Sequence, residues 1–506
     1  MRSLRGHGMT LFKPAATTVK RLSKSRYVAG LQCSKMLWWR VHEPDAPELA
    51  PEGRQQTILD RGDRVSELAR AHVPGGVLID LPHYEVKERV AATAKALAEG
   101  ASAVYEASFL ADDIFVSIDI LQRRQQGFVL AEVKSTLDVK EQHLSDVAVQ
   151  VHVVRRAGLK IDRAEVMHLN RECRHPRLTN LFVRKAITRQ IGPLLRAIPA
   201  RSKSMLSMLA GPLPEVPTGA HCDTPYACPF MERCWPAVPE HHVSTLYRIR
   251  GAKVAALVAD GHETLQQLPR GFPASGPAKR QIKSVKTDRL IVERGLRGAL
   301  RSLKRPIAFL DFETVMPAVP AWPGCAPYEQ VPVQFSCHLL AVEGVEHYEW
   351  LADGPGDPRE PIARALVAAC ASASTVVAYN APFEGRCIDA LIKAVPALAS
   401  KLAKIRDRLH DLLPIVRDRV YHPAFGGSFS IKSVLPALVP GFGYDDLEIQ
   451  EGGTASAALE AMLLDGSALA DGEREKLRHD LLRYCERDTL AMVRLHERLT
   501  EIAEHA

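Results

Sequence analysis

Apolar and polar positions change rhythm several times along this chain. Between Ser23 and Asn170, helical and strand patterns alternate. SELARAHV, residues 66–73, spaces its apolar side chains as a short amphipathic helix and stops at Pro-Gly-Gly. AVYEASFL, IFVSIDIL and GFVLAEVKS are apolar, β-branched runs that predict strands, with QRRQQG turning between the last two. KEQHLSDVAVQVHVVRRAGL has helical spacing and stops at Gly158. The pattern over 178–210 also predicts helix, and a Cys- and Pro-rich knuckle, HCDTPYACPFMERCW, follows it. Further on, STLYRIRGAKVAALVADG is helix-like and GFPASGPAK reads as a linker. A second α/β region opens with RPIAFLDFET and runs to the C-terminus.

At 506 residues the chain is too long for one core. The pattern divides it into a basic start (1–22), an α/β domain (23–240), a basic helical joining segment (241–304) and a second α/β domain (305–506). Hydrophobic content of 46% and charged content of 25% are those of a soluble globular protein. No apolar run approaches the roughly 18–20 residues of a membrane span, and no apolar stretch of signal length follows the basic start. Ten cysteines are too few for a disulfide scaffold, so a reducing cytoplasm is expected. The net charge of +7 is unevenly placed: residues 1–30 carry seven Lys/Arg and no acid, and 241–306 carry fourteen against four. Two such zones suit a polyanion, though solvated faces would look the same.

In FVLAEVKS, residues two apart on a strand share a face, which puts Glu132 and Lys134 side by side. Asp119, ending the neighbouring strand, could converge on that face. Two carboxylates can hold Mg²⁺ or Mn²⁺ while a lysine orients water or stabilises the developing phosphorane, as phosphodiester hydrolysis requires. An E-x-K triplet alone is weak, but Gln150 on the following helix strengthens it. S-I-D-I-L, A-E-V-K-S and D-V-A-V-Q together resemble the RecB-like branch of the PD-(D/E)XK nucleases, with their restriction-endonuclease-like fold. That resemblance implies metal ligation by Asp119 and Glu132, with Lys134 and Gln150 as catalytic groups. It departs at Val154, where the branch has tyrosine, and in the first helix, which offers Glu67 or His72 in place of the expected histidine. Glu106 is another possible first acid.

Cys222, Cys228 and Cys234 stand at C-x₅-C-x₅-C, and three thiolates rarely complete a metal site. Iron–sulfur members of the same branch place one cysteine before the nuclease core and three after it. The resemblance therefore implies Cys33, in SRYVAGLQCSKMLWW, as the fourth ligand of a [4Fe–4S] cluster that staples the two ends. Zinc is the other reading, although zinc ribbons favour tighter C-x₂₋₄-C pairs. Ordinary buried thiols are a third.

PIAFLDFET is a buried apolar run ending in Asp311 and Glu313 on one strand face. STVVAYNAPFEG repeats the scheme, with Asn380 and Glu384 at the strand exit. In RYCERDTLAM, Tyr484 and Asp488 share a helical face at i and i+4. Four acids from three elements suit two divalent ions clamping an in-line phosphoryl displacement, with the tyrosine positioning water. The order resembles the DEDDy 3′–5′ exonucleases of the ribonuclease-H-like fold over about residues 305–500. It departs at Glu384, where Asp is usual; Asp411 is a weaker supporting candidate. Glycines and serines in HPAFGGSFSIKSVLP could present N–H groups and Lys432 to a phosphate, or could simply turn and cap a helix.

The two halves together resemble a bacterial group catalogued as domain-of-unknown-function family 2779, through DVAVQVHVVRRAGL, HPAFGGSFSIKSVLPALVP and LLRYCERDT. The expected function is a metal-dependent nuclease with two centres, acting on DNA, with RNA as the second choice, in DNA repair, processing or defence. A non-catalytic nucleic-acid-binding scaffold is the alternative.

Overall fold

The computed structural model describes residues 21–50, 53–235, 237–464 and 470–505, with the side chains of 53–60 left aside. The expected basic start therefore lies, up to Lys20, outside the described residues. The chain is mixed α/β and divides into two compact units. One takes the chain up to Ala50 with Arg64–His168 and Phe182–Trp235; the other takes Pro51–Asp63, Leu169–Leu181 and the chain from Pro236. Among the described residues no helix is long and apolar enough to cross a membrane.

The first unit is built on a seven-stranded sheet. Its long strands are β1 (Ala103–Ala111), β2 (Ile114–Arg123), β3 (Phe128–Lys134), β4 (Ile161–Leu169) and β5 (Phe182–Ala186), in that order, with Val77–Leu78 beside β1. Strands β1 to β3 form an antiparallel meander, and β4 runs parallel to β3 after the crossover helix α1 (Glu141–Arg156). Asp119 lies inside β2, not at its end as the sequence suggested. Residues 178–210 are not one helix: β5 comes first, and the helix spans only Gly192–Leu209. Arg184 on β5 donates to Glu165 on β4 at 2.6 Å, a cross-strand ion pair that fits this segment to the sheet. Val154, where tyrosine was expected, is fully buried in α1 against the core.

The second unit carries a five-stranded mixed sheet. Its strands are β6 (Ile307–Val315), β7 (Val331–Leu340), β8 (Val345–Leu351), β9 (Thr375–Ala378) and β10 (Leu409–Asp411), arranged β8-β7-β6-β9-β10. The pairs β8–β7 and β7–β6 are antiparallel, whereas β9 is parallel to both β6 and β10. The run IAFLDFETV opens with four apolar residues in succession because both faces of β6 are covered. Ala308, Leu310 and Phe312 pack with Ile362, Leu366 and Ile388; Ile307, Phe309 and Val315 pack with Leu481, Met492 and Leu495. Those last three belong to the 35-residue helix Asp471–His505. Alternation along β6 therefore turns Asp311 and Glu313 towards that helix.

The stretch 241–304 is not a free linker. Val243, Leu246, Leu257, Leu265, Leu268, Val285, Leu296 and Leu300 enter the same core as Phe309, Trp322 and Tyr421. Helix Gly276–Thr287 starts inside the segment read as linker and docks through buried polar groups. Arg280 donates to the carbonyls of Arg417 (2.9 Å) and Asp418 (2.5 Å), and Gln281 to that of Thr245 (2.8 Å). Arg248, Lys253, Lys283, Arg289 and Arg297 stay exposed, so the basic character of this stretch faces solvent. Each buried Val or Leu contributes about 1.5–3 kcal/mol of gross burial, so losing eight of them removes a term at least comparable with a typical net stability of about 5–15 kcal/mol. A 305–506 fragment should therefore lack a cooperative thermal transition, and a 241–506 fragment should regain one; circular dichroism melts of the two distinguish these outcomes.

Candidate functional site

Asp311 and Glu313 on β6 meet Asp488 on the long C-terminal helix, one carboxylate oxygen of each lying within 4.8 Å of the others. Helix Pro382–Ala394 leaves the end of β9 and carries Glu384 in its first turn, buried, with Oε2 unpartnered. Burial, followed by repulsion from Asp488, Glu313 and Glu384, pushes Asp311 well above the usual carboxylate range. Glu313 is raised likewise by burial and then by Asp488. Glu384 is pushed up to about 8, chiefly by burial, with Asp411 adding to it. Four acids gathered together, Glu313 and Glu384 buried and Asp311 and Asp488 half-buried, form a cation-attracting site. Asp311, Glu313 and Asp488 could hold a divalent ion directly.

Polar neighbours fix these carboxylates. Tyr444 donates to Asp488 Oδ1 at 2.6 Å, and the Cys485 thiol approaches Asp311 Oδ2 at 3.7 Å. Tyr484 is buried, and its hydroxyl lies 3.4 Å from Lys432 Nζ. The Lys432 ammonium sits 5.1 and 5.2 Å from the ring centres of Tyr444 and Tyr484 and donates to the Gln450 carbonyl. Lys432 thus faces the acids rather than forming a separate phosphate cradle. The Gly426–Gly427 turn has another reason: a Cβ on Gly427, at φ +88°, would fall 2.1 Å from the Thr245 carbonyl oxygen. Its N–H is taken by the Tyr421 hydroxyl at 2.9 Å. Asp411 accepts from the Asn380 and Leu413 N–H groups, both at 3.0 Å, and so caps a helix beside Glu384.

In the first unit, the register places Asp119 opposite Glu106 on one side and Glu132 on the other, since Tyr105 pairs with Ile120 and Ala131 with Ile120. Asp119 Oδ2 accepts from the Val133 N–H at 2.6 Å, and burial, then Glu132, push it up to about 7. Glu132 is surrounded by donors: Lys24 Nζ at 2.7 Å, Lys134 Nζ at 2.9 Å and Gln150 Nε2 at 2.5 Å. Burial alone would raise Glu132, but Lys134 and Lys24 outweigh it and hold the carboxyl below its usual range. Lys134 also bonds Asp146 at 2.6 Å. Of the other candidates, exposed Glu67 pairs with Arg64, and exposed His72 packs edge-on against Phe182.

Cys33, Cys222, Cys228 and Cys234 line one cavity with Trp39, Met36, Lys35 and His221. Cys33 follows the helix Lys24–Gln32, so the segment that delivers Lys24 to Glu132 also delivers the distant cysteine. Burial raises the Cys228 thiol, and the other three cysteines add to the shift. No three of the four sulfurs lie within 4.8 Å of one another among the described residues.

Residues 308–430 match the family described as Domain of unknown function (DUF2779). Over that segment the chain is similar to the DUF2779 family. A comparison with curated proteins gives no match. The matched segment carries Asp311, Glu313 and Glu384; Lys432, Tyr484 and Asp488 come from beyond it.

Sequence reasoning missed four contributors. Asp146 had a signal, standing four residues before Gln150 on one helical face. Cys485 sits between two named residues, but nothing in its type pointed to Asp311. Tyr444 and Lys24 lie far away in sequence, and only the fold brings them in.

Glu384 supplies a pH test. Without divalent ions it keeps its proton to about pH 8 in the folded chain, whereas an unfolded Glu loses it near 4.5. The folded state therefore binds more protons between these values. The stabilising contribution is complete below about pH 4.5 and is lost as pH rises through about 8. In chelator, Glu384→Gln should melt with wild type at pH 4.5 and several degrees above it at pH 8. Thermal melts across this range check the difference.

Proposed function

We propose that this protein is a divalent-metal-dependent nuclease that hydrolyses phosphodiester bonds in DNA, with RNA as the competing substrate. The observation that carries this reading is the convergence of Asp311, Glu313, Glu384 and Asp488 beside Tyr484. The β8-β7-β6-β9-β10 sheet, covered by helices on both faces, supports a ribonuclease-H-like exonuclease unit. The antiparallel meander, crossover helix and parallel strand of the first unit support a PD-(D/E)XK-like one. Exposed Arg and Lys side chains over 241–304 suit a phosphate backbone.

The four acids of the second unit would hold Mg²⁺ or Mn²⁺, which when bound supplies charge neutralisation and an activated water for in-line displacement. Burial and then the charge of Asp488 keep Tyr484 protonated, so its phenol can hold a water by hydrogen bonding. Lys432 steadies Tyr484 from one side, and Tyr444 orients the Asp488 carboxylate. In the first unit Asp119, Glu132, Lys134 and Gln150 form the corresponding set. A second reading is favoured there by one observation: Lys24 and Lys134 already neutralise Glu132, so this unit would bind nucleic acid without cutting it.

The four cysteines fit a [4Fe–4S] cluster by number and by sharing one cavity. Zinc–thiolate bonds of about 2.3 Å would draw four sulfurs to about 3.8 Å apart, closer than these stand. Cys33 would be the ligand that fastens the first helix to the knuckle.

Full-length protein with Mn²⁺ should release mononucleotides from the 3′ ends of labelled single-stranded DNA. Asp311→Asn and Asp488→Asn should abolish this, and Tyr484→Phe should slow it by roughly 10²-fold, as for a positioning group. Lys134→Ala in an Asp488→Asn background tests the first unit: residual cleavage that then disappears marks a second active centre. Absence of turnover on every DNA and RNA substrate by the folded, Mn²⁺-binding protein would leave the scaffold reading in its place.

Anaerobically purified protein should contain iron and be brown, and Cys33→Ala should lose iron as fully as Cys228→Ala. Stoichiometric zinc without iron in elemental analysis would reject the cluster.

A further inference from the structure

Behind the acid cluster, on the same long helix, a second group of ligating side chains is gathered. His338 on β7 and His347 on β8 are directly paired across the hairpin, with ring centres 4.4 Å apart. Glu486 reaches them from helix Asp471–His505, and one ligand atom from each of the three lies within 4.8 Å of the others. His347 Nδ1 is 4.0 Å from Glu486 Oε1.

One nitrogen of each ring is held by a hydroxyl. His338 Nδ1 is 2.8 Å from Thr489 Oγ1, and His347 Nε2 is 2.9 Å from Ser336 Oγ. Ser336 and Thr489 are fully buried and bonded to each other at 2.7 Å. A histidine that ligates a metal through one nitrogen characteristically has the other fixed by an outer partner. Both histidines here have that partner. Arg494, a cation acting on His338, is itself paired with Glu497 at 3.0 Å.

We propose that His338, His347 and Glu486 form a zinc site, separate from the acid cluster, that ties the β7–β8 hairpin to the helix bearing Tyr484 and Asp488. Two imidazoles and one carboxylate suit zinc, whereas the all-oxygen set of Asp311, Glu313 and Asp488 suits magnesium or manganese. Ligands sharing one zinc stand about 3.3 Å apart, given bonds of about 2.0–2.1 Å. Exposed His347 and half-buried Glu486 have room to close the present gaps, while buried His338 provides the fixed point. Solvent would complete the fourth position.

The test uses the full chain, stripped with chelator, reloaded with Zn²⁺ and passed through a desalting column before zinc is counted. His347→Ala and Glu486→Gln, which leave the buried side chains in place, should each retain one equivalent less than wild type. Asp311→Asn should keep that equivalent, and so should Cys228→Ala, which separates this site from the acids and the thiols. Thr489→Val should weaken binding of the same equivalent by about 10–100-fold. With Co²⁺ as probe, the wild-type-minus-His347→Ala spectrum should show ligand-field absorption without a thiolate charge-transfer band. Equal zinc content in wild type, His347→Ala and Glu486→Gln would overturn the proposal, whether or not nuclease activity is found.

Discussion

Mutual repulsion among clustered carboxylates is the constraint around which the second unit is organised. Asp311, Glu313 and Asp488 share a space less than 5 Å across, and Glu384 is buried at its edge. Water would separate such charges, so only a rigid scaffold can keep them together. Strand β6 supplies it, being covered by apolar side chains on both faces and unable to shift by one residue without burying its acids in the opposite core. The long C-terminal helix supplies Asp488 and is anchored along its length by Leu481, Leu495 and Leu499. The repulsion is relieved by protons in the bare chain; by the proposed reading, cations would replace them.

The first unit resolves a similar problem differently. Its row of Glu106, Asp119 and Glu132 is interleaved with Lys24 and Lys134, and Glu132 is held ionised while Asp119 is driven towards neutrality. Two carboxylates on adjacent strands thus acquire opposite protonation tendencies from their surroundings. Lys24 depends on the helix Lys24–Gln32, and that helix runs directly into Cys33. By the proposed reading, a cluster on the four thiols would also fix the N-terminal arm of this acid–lysine network.

Polar groups hold the second unit together where apolar packing alone would leave its segments interchangeable. Arg280 and Gln281 satisfy backbone carbonyls of distant segments, so the helix that carries them has one docking position. Gly427 allows its turn to approach Thr245 more closely than any side chain would permit. Such contacts explain why 241–304 belongs to this unit although its exposed face is strongly basic. Amphipathic sequence reads equally well as linker or as domain edge until the partner for its apolar face is known.

Local order was legible in the residues themselves. Period-two alternation placed Glu132 beside Lys134 and Asp311 beside Glu313, and helical spacing put Tyr484 and Asp488 on one face, because these relations depend only on backbone geometry. Where the pattern was ambiguous it misled: LFVRKA followed by a helical run looked uniformly helical, yet pairing with β4 made its start a strand. Tertiary structure alone decided which separate elements meet. It brought Lys24 to Glu132, Tyr444 to Asp488, Cys33 to the three later cysteines, and His338 with His347 to Glu486. Those meetings depend on how sheets and helices pack over whole cores. The energy that enforces them is spread across many apolar side chains, none of which resembles a functional residue in sequence.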